Sequence, residues 1–274
     1  MPELPEVETV VRGLRKTILD KAIASVSSNN PKIDSDNQPG WLGALKGKRF
    51  LAVRRRGKNI LIDVSGGYTL WIHLKMTGHL YFLPENVVAD KHDLLIFKIK
   101  SNSHQLRFND YRRFGRVRLF RSDEVMHQPG LADLGPEPLE ITRKQFIDLF
   151  RSARRMVKPA LLDQTFLAGL GNIYADESLY MAGIHPRKLT DKISKAKLIK
   201  LHKKIRSVLK KAIRLMGTSV DSYAGVNGRP GGFQKYLRVY GREGEPCPRC
   251  GTGIRREKIG SRSAHFCPRC QRLK

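Results

Sequence analysis

Cysteine is scarce and confined: the chain has four, none of them before position 247. That distribution excludes a disulfide framework for everything upstream, which must fold on its own apolar core. Long apolar runs are also missing. No stretch approaches the roughly 20 uninterrupted apolar residues of a membrane-spanning helix. The start, Met1-Pro2-Glu3-Leu4-Pro5-Glu6, is acidic with no apolar segment behind it, so neither a membrane anchor nor a secretory signal is expected. There is no internal repeat and no low-complexity tract, which excludes solenoids and fibres. Negative charge is in short supply: 25 Asp and Glu stand against 52 Lys and Arg, leaving a net charge of +27. Such a field calls for a polyanion, whether ribosomal RNA or tRNA, DNA, or an anionic membrane surface. The lack of apolar segments leaves the membrane as the weakest of these.

The remaining composition is ordinary. Hydrophobic residues make up 40% and charged residues 28% of the chain, and 274 residues suffice for two domains of usual size. The cysteines are spaced Cys247-x2-Cys250, then sixteen residues, then Cys267-x2-Cys270. Two such knuckles place four thiolates at the corners of a tetrahedron around Zn²⁺, in a reducing compartment that leaves them unpaired. With every ligand supplied by protein, one zinc ion per chain is expected to be structural, since the metal keeps no open position for chemistry.

Periodicity divides the rest. Val7, Val10, Val11, Leu14 and Ile18 recur at helical spacing behind Pro5, predicting an amphipathic helix. Between about Lys48 and Phe120 the pattern changes to short β-rich runs, including Asn59 to Val64 and Tyr68 to Leu74 around a Gly66-Gly67 turn. These read as antiparallel hairpins of a sandwich or barrel. Leu131 to Leu139, with Gly135, Pro136 and Pro138, reads as a linker. Thr142 and Gln145 form a capping box. Leu198, Leu201, Ile205, Leu209, Ala212, Ile213 and Met216 trace one helical stripe ending at Gly217, backed by a lysine-rich face. Gly225 to Gly232 is expected to be a flexible loop.

Several residues could carry chemistry. If Met1 is removed, Pro2 presents a secondary amine; α-amino groups titrate near ~8, and a helix N-terminus disfavours their protonation. Such an amine can attack a sugar C1′ and form an iminium, with Glu3 beside it to handle protons and Glu6 one turn on. Met-Pro-Glu starts are common, however, and carboxylates favour helix N-termini for stability alone. Arg54-Arg55-Arg56-Gly57-Lys58, His73-Leu74-Lys75-Met76 and Asp110-Tyr111-Arg112-Arg113-Phe114-Gly115 mix cations with large apolar side chains. Phosphate contacts account for the cations. Met76 and Phe114 are either wedges between bases or core residues. Asn172, after Gly169-Leu170-Gly171, reads as the cap of a helix whose start also offers N–H groups to a phosphate.

Taken in order, Met1-Pro2-Glu3-Leu4-Pro5-Glu6-Val7-Glu8-Thr9, Arg55-Arg56-Gly57-Lys58, Lys91-His92-Asp93, Arg112-Arg113-Phe114-Gly115, Leu134-Gly135-Pro136-Glu137-Pro138-Leu139, Gly171-Asn172-Ile173-Tyr174 and the cysteine ribbon resemble the bacterial formamidopyrimidine-DNA glycosylases. The match runs through essentially the whole chain. The resemblance implies an α+β fold: an N-terminal catalytic antiparallel β-sandwich with flanking helices over 1–132, a linker at 133–139, a helix-two-turns-helix DNA-binding domain over 140–224, and a loop with a four-cysteine zinc finger over 225–274.

It also implies base-excision repair of oxidised purines, 8-oxoguanine and formamidopyrimidines, by a bifunctional glycosylase and AP lyase. Pro2 maps onto the Schiff-base nucleophile, Glu3 onto the proton donor, Lys58 onto the lysine of β-elimination and Arg262 onto the arginine of δ-elimination, with Glu6 in support. Asn172, His92 and Arg112 map onto DNA-binding positions. Met76, Arg112 and Phe114 map onto the trio that fills the void left by a flipped nucleotide, and 218–232 onto the loop closing over the extruded base. A basic phosphate-binding residue aligns near Arg154 to within one or two positions. Thr77 stands where the family varies, so base-pocket contacts are not carried over from it. The implied partner is damaged double-stranded DNA, met by a monomer in the bacterial cytoplasm, at the nucleoid, without a membrane or protein partner. Two rivals remain: an endonuclease VIII-like glycosylase for oxidised pyrimidines, and a non-catalytic zinc-ribbon protein that binds nucleic acid.

Overall fold

A computed structural model describes residues 1–219 and 224–273. The chain forms two compact units, one of Met1–Ala132 with Leu215–Gly232, the other of Asp133–Arg214 with Phe233–Lys274. Among the described residues no helix is long and apolar enough to cross a membrane.

The first unit opens with helix α1 (Leu4–Thr17) and holds two short helices, α2 (Pro31–Ser35) and α3 (Trp41–Leu45). Its strands are β1 (Ile23–Ser28), β2 (Phe50–Arg56), β3 (Asn59–Val64), β4 (Tyr68–His73), β5 (Gly78–Pro84), β6 (Asp93–Ile99), β7 (His104–Asp110) and β8 (Arg116–Arg121). They make two antiparallel sheets, ordered β1-β6-β7-β5 and β2-β3-β4-β8. Phe50, Ile60, Ile62, Leu70 and Ile72 of one sheet share a single core with Leu80, Leu95, Phe97, Leu106 and Phe108 of the other. The apolar stripe of α1, Val7, Val10, Val11 and Leu14, is buried in that same core. Each such side chain contributes roughly 1.5–3 kcal/mol by leaving water, so this unit needs no cross-link.

The segment at 225–232 departs from the expectation of a loop free of the core. Val226 is 3% exposed and belongs to the sandwich core. Its carbonyl accepts a hydrogen bond from the Phe82 amide on β5, an edge strand. An added methyl on Gly13 of α1 would lie 2.8 Å from the Val226 side chain, so glycine makes room for it. One apolar residue in a polar stretch is a weak signal, and burial decided what composition did not. Residues 220–223 of the expected base-closing loop lie outside the described residues.

The second unit comprises α4 (Arg143–Arg151), α5 (Val157–Leu162), α6 (Asn172–Ala182), α7 (Lys195–Arg214) and a two-stranded ribbon, β9 (Arg255–Ile259) with β10 (Arg262–Phe266). The Thr142–Gln145 capping box opens α4. The apolar stripe of α7 is buried from Leu198 to Ile213, but the helix ends at Arg214. Met216 lies beyond it with φ +59°, so its side chain is exposed and not part of the stripe. Asn172 is the first residue of α6, whose N-cap is Gly171.

Candidate functional site

The chain terminus is held by a carboxylate. Pro2 and Glu3 are buried, while Met1 is exposed. Glu3 caps α1 and forms a reciprocal capping box with Glu6. Glu6 Oε2 accepts the Glu3 amide at 2.8 Å, and Oε1 accepts the Thr218 amide at 2.7 Å. Gly217, at φ +84°, lies so close that an added Cβ would come within 2.6 Å of Glu6 Oε1. Hydrogen bonds to a charged acceptor are the stronger kind, roughly 1.5–3 kcal/mol each. Glu6 thus ties the residues following Pro2 to a segment more than two hundred positions away in the chain.

Around the β2–β3 turn, cations gather. Gly57 takes φ +57°, and Lys58 follows it in a two-residue hairpin turn, with Arg56 paired to Asn59. His73 ends β4, where burial, followed by Lys75, Lys58 and Arg116, pushes its imidazole down to about 3. Neutral at physiological pH, it accepts the Lys75 amide at Nδ1, 2.9 Å away. Lys75 itself is drawn below the ordinary lysine range, first by burial and then by Arg116 and Lys32. Lys75 is also held at φ +53°, a conformation costly for a residue with a Cβ. Mutual repulsion of this kind is relieved by an external anion.

Met76, Arg112 and Phe114 come together on the same unit. Met76 and Phe114 are each 46% exposed, which removes the core-packing alternative for both. The Arg112 guanidinium lies 3.4 Å from the Met76 sulfur and 4.8 Å from the Phe114 ring centroid. Behind them, buried Asp110 accepts the Thr77 hydroxyl and the amides of Arg112 and Gly115. Gly115 is required there, because an added Cβ would sit 2.3 Å from the Phe108 ring. The His92 ring packs edge-on against Tyr111 at 6.4 Å, and its Nδ1 is buried without a hydrogen-bond partner among the described residues.

In the second unit α6 is the organising element. Asn172 stands at its start with Oδ1 buried and lacking a partner among the described residues. Asp176 accepts Lys158 Nζ at 2.6 Å on one oxygen and the His265 amide at 2.9 Å on the other. Lys158, wholly buried, also donates to the Ser263 carbonyl. Glu177 accepts three successive amides, Arg238, Val239 and Tyr240, and burial raises its carboxyl above the usual range against their pull. The α6 helix therefore grips β10, whose first residue is Arg262, exposed at the hairpin turn after Gly260. Arg154 is exposed, 4.0 Å from Asp191. Its neighbour Arg155 pairs with Asp163 and lies over Phe166.

Cys247, Cys250, Cys267 and Cys270 bring their sulfurs within 4.8 Å of one another, with separations of 3.5, 3.5 and 3.9 Å among those in closest contact. A tetrahedral Zn²⁺ with bonds of about 2.3 Å needs sulfurs roughly 3.8 Å apart. Hydrogen bonding to Thr252 draws the Cys250 thiol down to about 6, while burial and the adjacent sulfurs push Cys270 up to about 12. Four such thiols do not ionise together without a cation. Tyr180 of α6 completes the surroundings, its hydroxyl 3.4 Å from the Cys247 sulfur.

Three groups escaped sequence reasoning: Asp110, the Lys158–Asp176 pair, and Glu177. The signal for the last two was present. In Asn172–Ala182, a helix with little amphipathic bias, two adjacent carboxylates sit among residues buried on every side, a placement that demands buried partners. Asp110 lacked such a context, since an acidic residue at a strand end is commonly a turn residue.

An antiparallel sandwich with an N-terminal helix, a helical domain and a four-cysteine ribbon fitted to zinc define the class of zinc-ribbon DNA glycosylases. Residues 1–117 match the formamidopyrimidine-DNA glycosylase N-terminal domain, 134–224 the H2TH domain of the same enzymes, and 244–273 the zinc finger found in FPG and IleRS. The chain belongs to the formamidopyrimidine-DNA glycosylase family. It is 43% identical to the formamidopyrimidine-DNA glycosylase of Pelotomaculum thermopropionicum, with full coverage of both chains. With that of Heliobacterium modesticaldum it shares 46% identity over 99% of this chain and all of the other. The Lactococcus lactis enzyme in complex with abasic-site DNA superposes with a TM-score of 0.92 at 38% identity, covering 99% of this chain and 100% of that one. A mutant of that enzyme bound to Fapy-dG DNA gives 0.91 at 37% identity, with the same coverage.

Proposed function

We propose that this protein excises oxidised purines, 8-oxoguanine and formamidopyrimidines, from duplex DNA and then cleaves the strand as an AP lyase. The observation that carries the reading is the buried Pro2-Glu3 terminus fixed through Glu6. With Met1 removed, the Pro2 nitrogen attacks C1′ of the flipped nucleotide. The N-glycosidic bond breaks, its electrons leave with the base, and Glu3 handles the protons. The opened sugar is held as a Schiff base on Pro2. Loss of a proton at C2′ expels the 3′ phosphate (β-elimination), and a second elimination expels the 5′ phosphate, leaving a one-nucleotide gap. Lys58 serves the first elimination and Arg262 the second.

Flipping costs a few kcal/mol, which damage or mispairing lowers. Met76 and Phe114, with Arg112 between them, offset that cost by filling the vacated stack. His92, whose buried Nδ1 lacks a protein partner among the described residues, takes a DNA backbone contact, Asn172 donates to a phosphate from its side-chain amide at the start of α6, and Arg154 is a further phosphate contact. Zinc holds the ribbon and takes no part in bond making. The enzyme works in the bacterial cytoplasm, at the nucleoid.

Borohydride reduction during reaction with 8-oxoguanine duplex is expected to leave the protein covalently attached to DNA, and Pro2→Gly to lose adduct by at least about 100-fold. An undiminished adduct in Pro2→Gly removes Pro2 as the nucleophile. Absence of adduct from the wild type removes the enzyme reading in favour of simple binding. Faster cutting of thymine glycol than of 8-oxoguanine moves the chain to the pyrimidine branch.

A further inference from the structure

The second unit contains a cavity of about 370 Å³ that none of the roles above uses. It lies where α6 ends and α7 begins. Three separate pieces of chain wall it: the turn after α6 with His185 and Lys188, the approach to α7 with Lys192 and Lys197, and the second zinc knuckle with Arg269 and Arg272. Five lysines and arginines line it, and no aspartate or glutamate does. Asp191 and Glu257, the acidic residues beside this region in the chain and ribbon, pair with Arg154 and Arg187, and Glu257 also acts on His185 of the wall.

The walls are fixed. Buried Gln271, between Cys270 and Arg272, donates to the Ile184 carbonyl at 2.8 Å and accepts the Cys267 amide at 3.0 Å. Lys197 Nζ donates to the Gly183 carbonyl at 3.3 Å, which holds that ammonium at the rim. The cluster is also distinct from the α6 start. Asn172 and Ala182 bound an 11-residue helix, which at about 1.5 Å per residue separates the two ends by roughly 15 Å.

Lysines and arginines around a recess, with no acidic side chain in its lining, set up a positive field that draws an anion. A DNA duplex is a convex rod that rests on surfaces, whereas a recess of a few hundred Å³ suits a small ligand. We propose that this cavity binds a small polyphosphate anion, such as pyrophosphate or the triphosphate of a nucleotide. Adjacent phosphate groups on one compact ligand meet lysines and arginines arriving from three directions, and arginine adds paired, charge-assisted hydrogen bonds.

The test uses the full-length, zinc-loaded protein titrated calorimetrically with inorganic tripolyphosphate at physiological ionic strength, and separately with an undamaged duplex. Lys192→Gln/Arg272→Gln removes two cavity cations, and Lys203→Gln/Lys204→Gln removes two from the α7 surface as a control. Wild type and control are expected to bind one tripolyphosphate saturably. The cavity variant is expected to bind it at least about tenfold more weakly, while keeping its zinc, its lesion cutting and its duplex affinity. Binding should persist when the protein is pre-saturated with lesion duplex. Absence of saturable binding, equal weakening in the control, or a cavity variant that loses duplex while keeping tripolyphosphate would each overturn the proposal, the last by making the DNA backbone the ligand.

Discussion

The two units hold their functional groups by different physical means. In the first, a large apolar core supplies rigidity, and two segments are each backed by a single carboxylate: the buried Pro2-Glu3 terminus by Glu6 and the exposed Arg112–Phe114 loop by Asp110. The Arg112–Phe114 loop and the β4–β5 turn each carry a non-glycine residue in the left-handed region, Arg113 and Lys75, a strain that the sandwich beneath them can support. The ribbon of the second unit has few apolar residues of its own. Ile259, Ala264 and Phe266 make one small cluster, and such an element does not fold by burial alone. It is held by four cysteine sulfurs and by buried Asp176 of α6, which accepts the His265 amide of β10. Both units bury charge, the sandwich in its Arg107–Asp93 pair, but the ribbon has too small an apolar cluster to stand without such contacts.

The comparison is broken most severely by removing metal. Chelation is expected to unfold the ribbon, since structural zinc in small domains contributes on the order of 10 kcal/mol, and to reduce lesion cutting by about 100-fold or more through loss of the Arg262 hairpin. Hydrogen exchange should show β9 and β10 opening while β3, β4, β6 and β7 stay protected. Opening of the sandwich together with the ribbon would mean that the units do not differ as described. Next in size is Asp176→Asn. Removing the counter-charge of the buried Lys158 ammonium should cost about 3–5 kcal/mol, and Asp176→Leu should cost more, because it also strands the His265 amide. Arg54→Gln, which breaks the partly exposed Arg54–Asp63 pair on the sandwich, should cost no more than about 1 kcal/mol. Chemical denaturation measures all three.

How much of this was legible follows the same division. The hairpins, α1, the α4 capping box and the zinc ribbon each rest on a periodic or spaced pattern of few residues, so the sequence displays them directly. Clustering of Met76, Arg112 and Phe114 came from the resemblance. From the residues alone, a wedge and a core methionine look the same until exposure separates them. The insertion of Val226 into the sandwich core, the Glu6–Thr218 link and the Lys158–Asp176–His265 contact join residues far apart in the chain, and no local pattern encodes such pairings. Asn172 illustrates a smaller gap: extended Gly171 takes the cap, at a disadvantage of only about a few tenths of a kcal/mol against an asparagine there.

A subtler difference concerns acid. His73 in the sandwich binds a proton near 6.5 when unfolded but only near 3 when folded, because burial and three cations oppose its charge. The unfolded chain therefore holds more protons between those values. The stability associated with a neutral His73 is complete above pH 6.5 and is lost as pH falls through this window, at up to about 1.4 kcal/mol per pH unit. His73→Gln, which can still accept the Lys75 amide, should flatten that part of the stability profile. If denaturation midpoints of variant and wild type fall in parallel on acidification, His73 is not the group responsible.

The smallest expected effect on folding, and the one that most sharply separates scaffold from presented group, is Phe114→Ala. Phe114 is 46% exposed and rests on Arg112 rather than in the core. Truncation removes little buried area, so stability should change by no more than about 0.5 kcal/mol. Stacking against a base is worth roughly 1–3 kcal/mol, so affinity for a lesion duplex should fall by about 5- to 150-fold. A single-stranded abasic oligonucleotide, which has no stacked partner strand to fill, should be cut almost as before. Equal losses on both substrates would show that Phe114 shapes the turn instead of occupying the stack. The work of that loop would then belong to Asp110, which holds it from beneath through the amides of Arg112 and Gly115.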